Sequence, residues 1–249
     1  MNREAAVLSW DSFASQRKEL PVARRLVIFD CDGVLVDSER LGSQAMRELV
    51  AAEGLHYSPA DALALIRGRK VAAWVAELEQ ELGRALPPDF VPEFRRRSAA
   101  LFATSLRPVP HVGQVIDELA LPFCTASSAP REKIVHTLGL TGLLPRFEDR
   151  IYSAYEVGSW KPDPGLFLHA ARDMDVPAGR CVVVEDSLVG VRAAVAAGMT
   201  AFGYAPPENG TAADLAAAGA VTFESMTALP ALLGKWSALQ PVSASISAR

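Results

Sequence analysis

The sequence predicts an α/β fold: a parallel sheet with helices on both faces and a small helical domain inserted near its start. Three observations predict it. Short apolar runs without alternation recur along the chain, as in strands buried on both faces. From Pro110 onward these runs alternate with helical stretches, the pattern of repeated βαβ units. Between the first run and Pro110, residues 38–107 show helical periodicity alone.

The first strand is expected at Leu26–Asp30, and it runs straight into Asp30-Cys31-Asp32-Gly33. The carboxyl ends of such strands are where open α/β sheets place their ligands. Two carboxylates this close repel each other unless a cation sits between them, and Mg²⁺ suits a few carboxylates plus phosphate oxygens. Alone, the motif also reads as an acidic turn.

In residues 38–107, Leu41, Ala45 and Leu49 recur at helical spacing. Ser58-Pro59-Ala60-Asp61 has the form of a helix start. Val71, Trp74, Val75, Leu78 and Leu82 make an apolar stripe closed by Gly83, and Phe90, Phe94 and Leu101 make another. The insert leaves through Leu106-Arg107-Pro108-Val109-Pro110, a stiff linker. Two short tethers beside a site read as a movable cap.

After Pro110 the expected order is helix Val112–Leu119, strand Phe123–Ala126 and helix Pro130–Leu138, then strand Ile151–Ala154, helix Pro164–Met174 and strand Cys181–Val184. Helix Leu188–Ala197, strand Thr200–Tyr204, and a last strand and helix near Val221 and Leu229 complete it. The domains follow: 1–24 an N-terminal extension, 25–37 and 108–234 the core, 38–107 the helical cap, 235–249 a loose Ser/Ala-rich tail.

Half the residues are hydrophobic and the net charge is −4, a globular composition with little to attract nucleic acid. Cys31, Cys124 and Cys181 are odd in number and lie by apolar runs, which points to reduced thiols and a cytoplasmic location. No apolar run is long enough to span a membrane, and residues 1–23 lack a signal-peptide core.

Three further motifs carry chemistry. Ser127 and Ser128 end a strand just before Pro130, where a hydroxyl and free amides can hold an anion, although Ser127 also reads as a plain helix cap. Lys161 lies in a proline-fenced loop, Trp160-Lys161-Pro162-Asp163-Pro164, placed to neutralise a phosphoryl group or to stand on the surface. Glu185 and Asp186 end another apolar strand, and sheet logic brings them to the edge that carries Asp30 and Asp32. Four carboxylates on one edge are costly without a cation.

In this order, the four motifs resemble the haloacid dehalogenase superfamily, from Leu26 to about Leu232. The likeness implies a Rossmann-like core and an α-helical cap inserted after the aspartate turn. Within the superfamily the chain resembles the sugar-phosphate phosphatase and beta-phosphoglucomutase group. The run from Trp160 to Pro164, followed by Phe167, His169, Ala170 and Ala171, resembles the subgroup of small bacterial phosphatases similar to 6-phosphogluconate phosphatase. The resemblance implies a Mg²⁺-dependent phosphatase of small phosphorylated metabolites. It assigns Asp30 as nucleophile and Asp32 as acid and base. Mg²⁺ would be held by Asp30, the Asp32 carbonyl, Asp186, and Glu185 directly or through water. Ser127, the Ser128 amide and Lys161 would hold the phosphoryl oxygens. The presence of Asp32 speaks against a true dehalogenase.

The loop Arg67-Gly68-Arg69-Lys70 corresponds to the loop that reads the substrate in that family, and its cations would suit a sugar phosphate. It reads equally as a solvated basic loop. Relatives that are mutases carry arginine where Val71 stands, which favours hydrolysis over a phosphosugar mutase. A non-enzymatic binding protein on this fold would have lost a catalytic group, and all are present. Arg95, Arg96 and Arg97 are read as a solvated helix face, and His56, His136 and His169 as packing or surface residues. His111 stands where relatives often carry glycine and is read as structural. The partner expected is a small phosphorylated substrate, with the chain a monomer or weak homodimer.

Overall fold

A computed structural model describes residues 24–239. The expected N-terminal extension, apart from Arg24, lies outside them.

In chain order the elements are β1 (Leu26–Phe29), α1 (Ser38–Ala52), α2 (Pro59–Ile66), α3 (Val71–Leu82), α4 (Phe90–Ser105) and α5 (Val112–Asp117). Next come β2 (Phe123–Ser127), α6 (Arg131–Leu140), α7 (Leu144–Phe147), β3 (Ile151–Ser153), α8 (Ala154–Val157) and α9 (Gly165–Asp173). The last are β4 (Cys181–Glu185), α10 (Leu188–Ala196), β5 (Thr200–Tyr204), α11 (Ala212–Ala217), β6 (Val221–Phe223) and α12 (Leu229–Leu239). The sheet order is β3-β2-β1-β4-β5-β6, and every pairing is parallel.

The period of two along a strand divides the core. Val27, Phe29, Val182 and Val184 face one cluster, whereas Leu26, Ile28, Cys181 and Val183 face the other. This two-sided burial is why the strands are continuously apolar. The three cysteines are buried and free.

The four helices α1–α4 form the insert, with a separate cluster around Trp74, Leu78 and Phe90. Ser58 Oγ accepts from the Asp61 amide at 3.1 Å and caps α2, and Gly83 closes α3 in the left-handed region. Trp74 packs edge-on against Phe90 and Phe94, so truncating it to alanine should cost about 3–5 kcal/mol. The two tethers pair with each other: the Asp37 amide donates to the Arg107 carbonyl and the Val109 amide to the Leu35 carbonyl, each at 3.0 Å.

Two expectations need correction. The tail starts later than residue 235, because α12 runs to Leu239, buries Trp236, and lets the Trp236 indole donate to Thr200 Oγ1 at 3.0 Å. Residues 240–249 lie outside the described residues. Strand β3 stops at Ser153, since the Ser153 hydroxyl accepts from the Tyr155 amide and starts a helical turn. The short helices α7, α8 and α11 had no separate expectation. His111 has φ +67°, a backbone region that favours glycine.

Candidate active site

Strands β1, β2 and β4 end on one edge of the sheet. Asp30 and Asp32 follow β1, Ser127 ends β2, and Glu185 ends β4 with Asp186 after it. Because β1 lies between β2 and β4, these residues become neighbours although nearly 160 positions separate the first from the last. Gly33 makes the approach possible. It has φ +82°, and a Cβ there would lie 2.2 Å from Asp186 Oδ2.

Lys161 is the hinge of the charge network. It is 7% exposed, so the surface alternative does not hold. Its ammonium donates to Asp30 Oδ1 and to Glu185 Oε1. Burial opposes its charge, but Asp30 and Glu185 outweigh burial and hold its pKa above the ordinary lysine value. Glu185 Oε2 accepts from the amides of Asp186 and Ser187, both at 3.0 Å, and from the Ser187 hydroxyl at 2.9 Å. Glu185 thus orients Lys161 and fixes the loop after β4.

Asp186 is different. It is 1% exposed, and neither carboxylate oxygen has a hydrogen bond. Burial drives its pKa well above the usual range, and Glu39 and Glu185 add to the rise. Burial likewise pushes Asp30 up to about 8, with Lys161 pulling the other way. One carboxylate oxygen from each of Asp30, Glu185 and Asp186 lies within 4.8 Å of the others. A hard divalent cation fits this set, because it supplies the close contact that the Asp186 oxygens, free of hydrogen bonds, lack.

The Asp32 carboxylate has other partners than the acidic trio. Its Oδ1 accepts from the Ser38 hydroxyl and from Lys133 Nζ, the latter at 2.8 Å. Burial pushes this carboxyl up, but Lys133 and Ser38 overrule it, and the net direction is down. Ser127 Oγ accepts from the Ala129 amide at 3.1 Å and keeps its proton free to donate. Ser128 Oγ is buried without a partner.

Asp30, Asp32, Ser127, Ser128 and Lys161 line one cavity of about 450 Å³, together with Gly68, Arg69 and Val71 of the insert. The size is that of a small-ligand site. The rest of the basic loop is placed otherwise than expected. Arg67 does not line this cavity. Its Nε donates to Glu39 Oε2 at 2.9 Å and lies 3.7 Å from Asp186 Oδ2. Arg69 is paired with Glu77, with one bond at 3.0 Å. The Lys70 ammonium sits 3.8 Å above the Trp160 ring. Gly68 packs onto the loop after β4, where a Cβ would meet Ser187 Oγ at 2.4 Å.

Other residues at the site were not singled out in the sequence. Lys133, Ser38 and Glu39 belong here, and each occupies the first turn of a helix opening toward this edge. His136, expected to be packing or surface, lines the cavity. The three arginines do not share one face. Arg96 and Arg97 pair with Glu93, whereas Arg95 turns to the cavity.

A family model described as haloacid dehalogenase-like hydrolase matches residues 24–198. The 6-phosphogluconate phosphatase of Escherichia coli strain K12 is 33% identical over 185 residues, covering 74% of this chain and 84% of that one. A solved haloacid dehalogenase-like protein from Agrobacterium tumefaciens is 31% identical with a TM-score of 0.77, covering 86% of this chain and 100% of that one. A hydrolase from Deinococcus radiodurans, solved with phosphate and sodium bound, is 30% identical with a TM-score of 0.72, covering 88% and 99%.

Proposed function

The chain belongs to the haloacid dehalogenase-like hydrolases, and we propose that it is a Mg²⁺-dependent phosphatase of small phosphorylated metabolites, sugar phosphates foremost. The observation that carries this reading is the position of Asp30, between a buried lysine and a carboxylate whose oxygens lack hydrogen bonds, at the floor of a small-ligand cavity. The likeness to 6-phosphogluconate phosphatase supports the substrate class.

In the proposed reaction a carboxylate oxygen of Asp30 attacks phosphorus, and the bond from phosphorus to the substrate oxygen breaks. Asp32 gives a proton to the leaving oxygen. Water then attacks the aspartyl-phosphate, Asp32 takes its proton, and phosphate leaves with Asp30 restored. Lys133 and Ser38 keep Asp32 ionised in the resting site, which suits the second half. For the first half, the incoming phosphate charge raises the Asp32 pKa so that it carries a proton.

Lys161, Ser127 and Ser128 are the donors to the phosphoryl oxygens. Mg²⁺ would be held by Asp30 and Asp186, with the Asp32 carbonyl and Glu185 beside them, and it would neutralise phosphoryl charge. We read residues 38–107 as a cap whose hinge is the paired tethers at 35–37 and 107–109, and its closure as the means of positioning substrate. Val71 lines the cavity and brings no cation there, which speaks against the mutase.

Phosphate release from a panel of hexose, pentose and aldonate phosphates tests the reading. Release should require Mg²⁺, stop with EDTA and return with added metal. Release independent of metal, or none from any substrate including p-nitrophenyl phosphate, would contradict it.

A further inference from the structure

We infer that Arg95, with Ser98 and His136, forms a subsite for a carboxylate at the end of the substrate remote from its phosphate, so that the preferred substrates are phosphorylated acids. This rests on the phosphatase reading and narrows its substrate class.

Two helices outside the sheet edge contribute a wall of the cavity. From α4 come Phe94, Arg95, Ser98, Ala99 and Phe102, and from α6 come Glu132, Lys133 and His136. Arg95, Ser98 and Phe102 stand at i, i+3 and i+7, on one face of α4. Lys133 and His136 share a face of α6 in the same way.

The cations lining the cavity differ in what they already hold. Lys161 is bound to Asp30 and Glu185, Lys133 to Asp32, and Arg69 to Glu77. Among the described residues Arg95 has no ion pair and no hydrogen bond to a side chain, and it is exposed toward the cavity. Ser98, one turn further along α4, is 5% exposed, and its hydroxyl has no partner. A buried hydroxyl without a partner beside an unpaired guanidinium is a donor set awaiting an acceptor.

The acceptor is a carboxylate and not a second phosphate. The planar fork of one guanidinium matches a carboxylate in two parallel hydrogen bonds. A phosphate dianion needs more positive charge than one arginine, and the nearby Lys133 is committed to Asp32. Glu132 in the same wall can accept from substrate hydroxyls.

The test compares matched substrates that differ only in the remote group. The acids are 3-phosphoglycerate, 4-phosphoerythronate and 6-phosphogluconate, and the alcohols are glycerol 3-phosphate, erythritol 4-phosphate and glucitol 6-phosphate. For at least one length the wild type should favour the acid in kcat/KM, and Arg95→Ala should cut that acid-to-alcohol ratio by about 10–100-fold, chiefly through KM, as for a lost hydrogen bond to a charged group. Arg95→Lys should recover part of it. Calorimetry on Asp30→Asn, with and without Arg95→Ala, reads the same preference without turnover. A ratio that Arg95→Ala leaves unchanged overturns the subsite, even if phosphate is released. Binding preference that depends on Arg95 in a chain that releases no phosphate upholds the subsite and overturns the phosphatase.

Discussion

Lys133 Nζ donates to Asp32 Oδ1 at 2.8 Å, linking the first turn of α6 to the loop after β1. The contact holds the carboxylate of Asp32 in place and keeps it ionised against burial. Lys133→Met removes the cation and leaves the burial. The Asp32 pKa should then rise, and a base that must lose its proton acts only at higher pH. The acidic limb of the kcat–pH profile should therefore move to higher pH. An unmoved limb would separate Lys133 from the function of Asp32.

Asp186 is a buried carboxylate without a hydrogen bond, so its replacement by an amide relieves a cost and removes a metal ligand. Without metal, Asp186→Asn should melt at or above the wild-type temperature. Mg²⁺ at 100 times its Kd should stabilise the wild type by about 2.7 kcal/mol and the variant hardly at all. Equal Mg²⁺ protection of both proteins would move the metal elsewhere.

Burial pushes the Asp30 carboxyl up to about 8 when no cation is present. Below that pH Asp30 carries a proton, which a bound cation must displace. Mg²⁺ affinity should therefore increase as pH rises toward 8, by up to about tenfold per unit for one displaced proton. Calorimetry in buffers of different ionisation enthalpy reads the released proton directly. Affinity that is flat or falls with pH would contradict this.

Gly33 has φ +82° and lies against the Asp186 carboxylate. Gly33→Ala adds strain to that backbone and a clash to that carboxylate, and should destabilise the fold by about 1–3 kcal/mol. It should also weaken Mg²⁺ protection in thermal melts. A neutral effect on both would show that the turn relaxes freely.

Much of this was legible in the sequence. Apolar runs ending in acids located Asp30, Asp32, Glu185 and Asp186, because a strand buried on both faces has one chemical pattern and one reactive end. The sheet, the insert and most helix boundaries followed from periodicity. The basic loop was read by its charges alone, and the partners that decide their fate are far away in sequence or on another helix. Glu39 lies 28 residues from Arg67, and Trp160, whose ring Lys70 covers, lies 90 residues from it. Arg95, Arg96 and Arg97 look like one patch as letters, but successive residues on a helix point in different directions. Lys133 carried no spacing signal, since the fold alone brings α6 to Asp32.

The central claim is that Asp30 carries the phosphoryl group and Asp32 releases it. Asp32→Asn should separate the two steps with p-nitrophenyl phosphate, whose leaving group needs no proton. The prediction is a burst of one nitrophenol per site, followed by a stall, with the phosphoryl group found on Asp30 after acid quench and peptide mass analysis. Steady turnover without a burst, or a phosphoryl group on another residue, would contradict it.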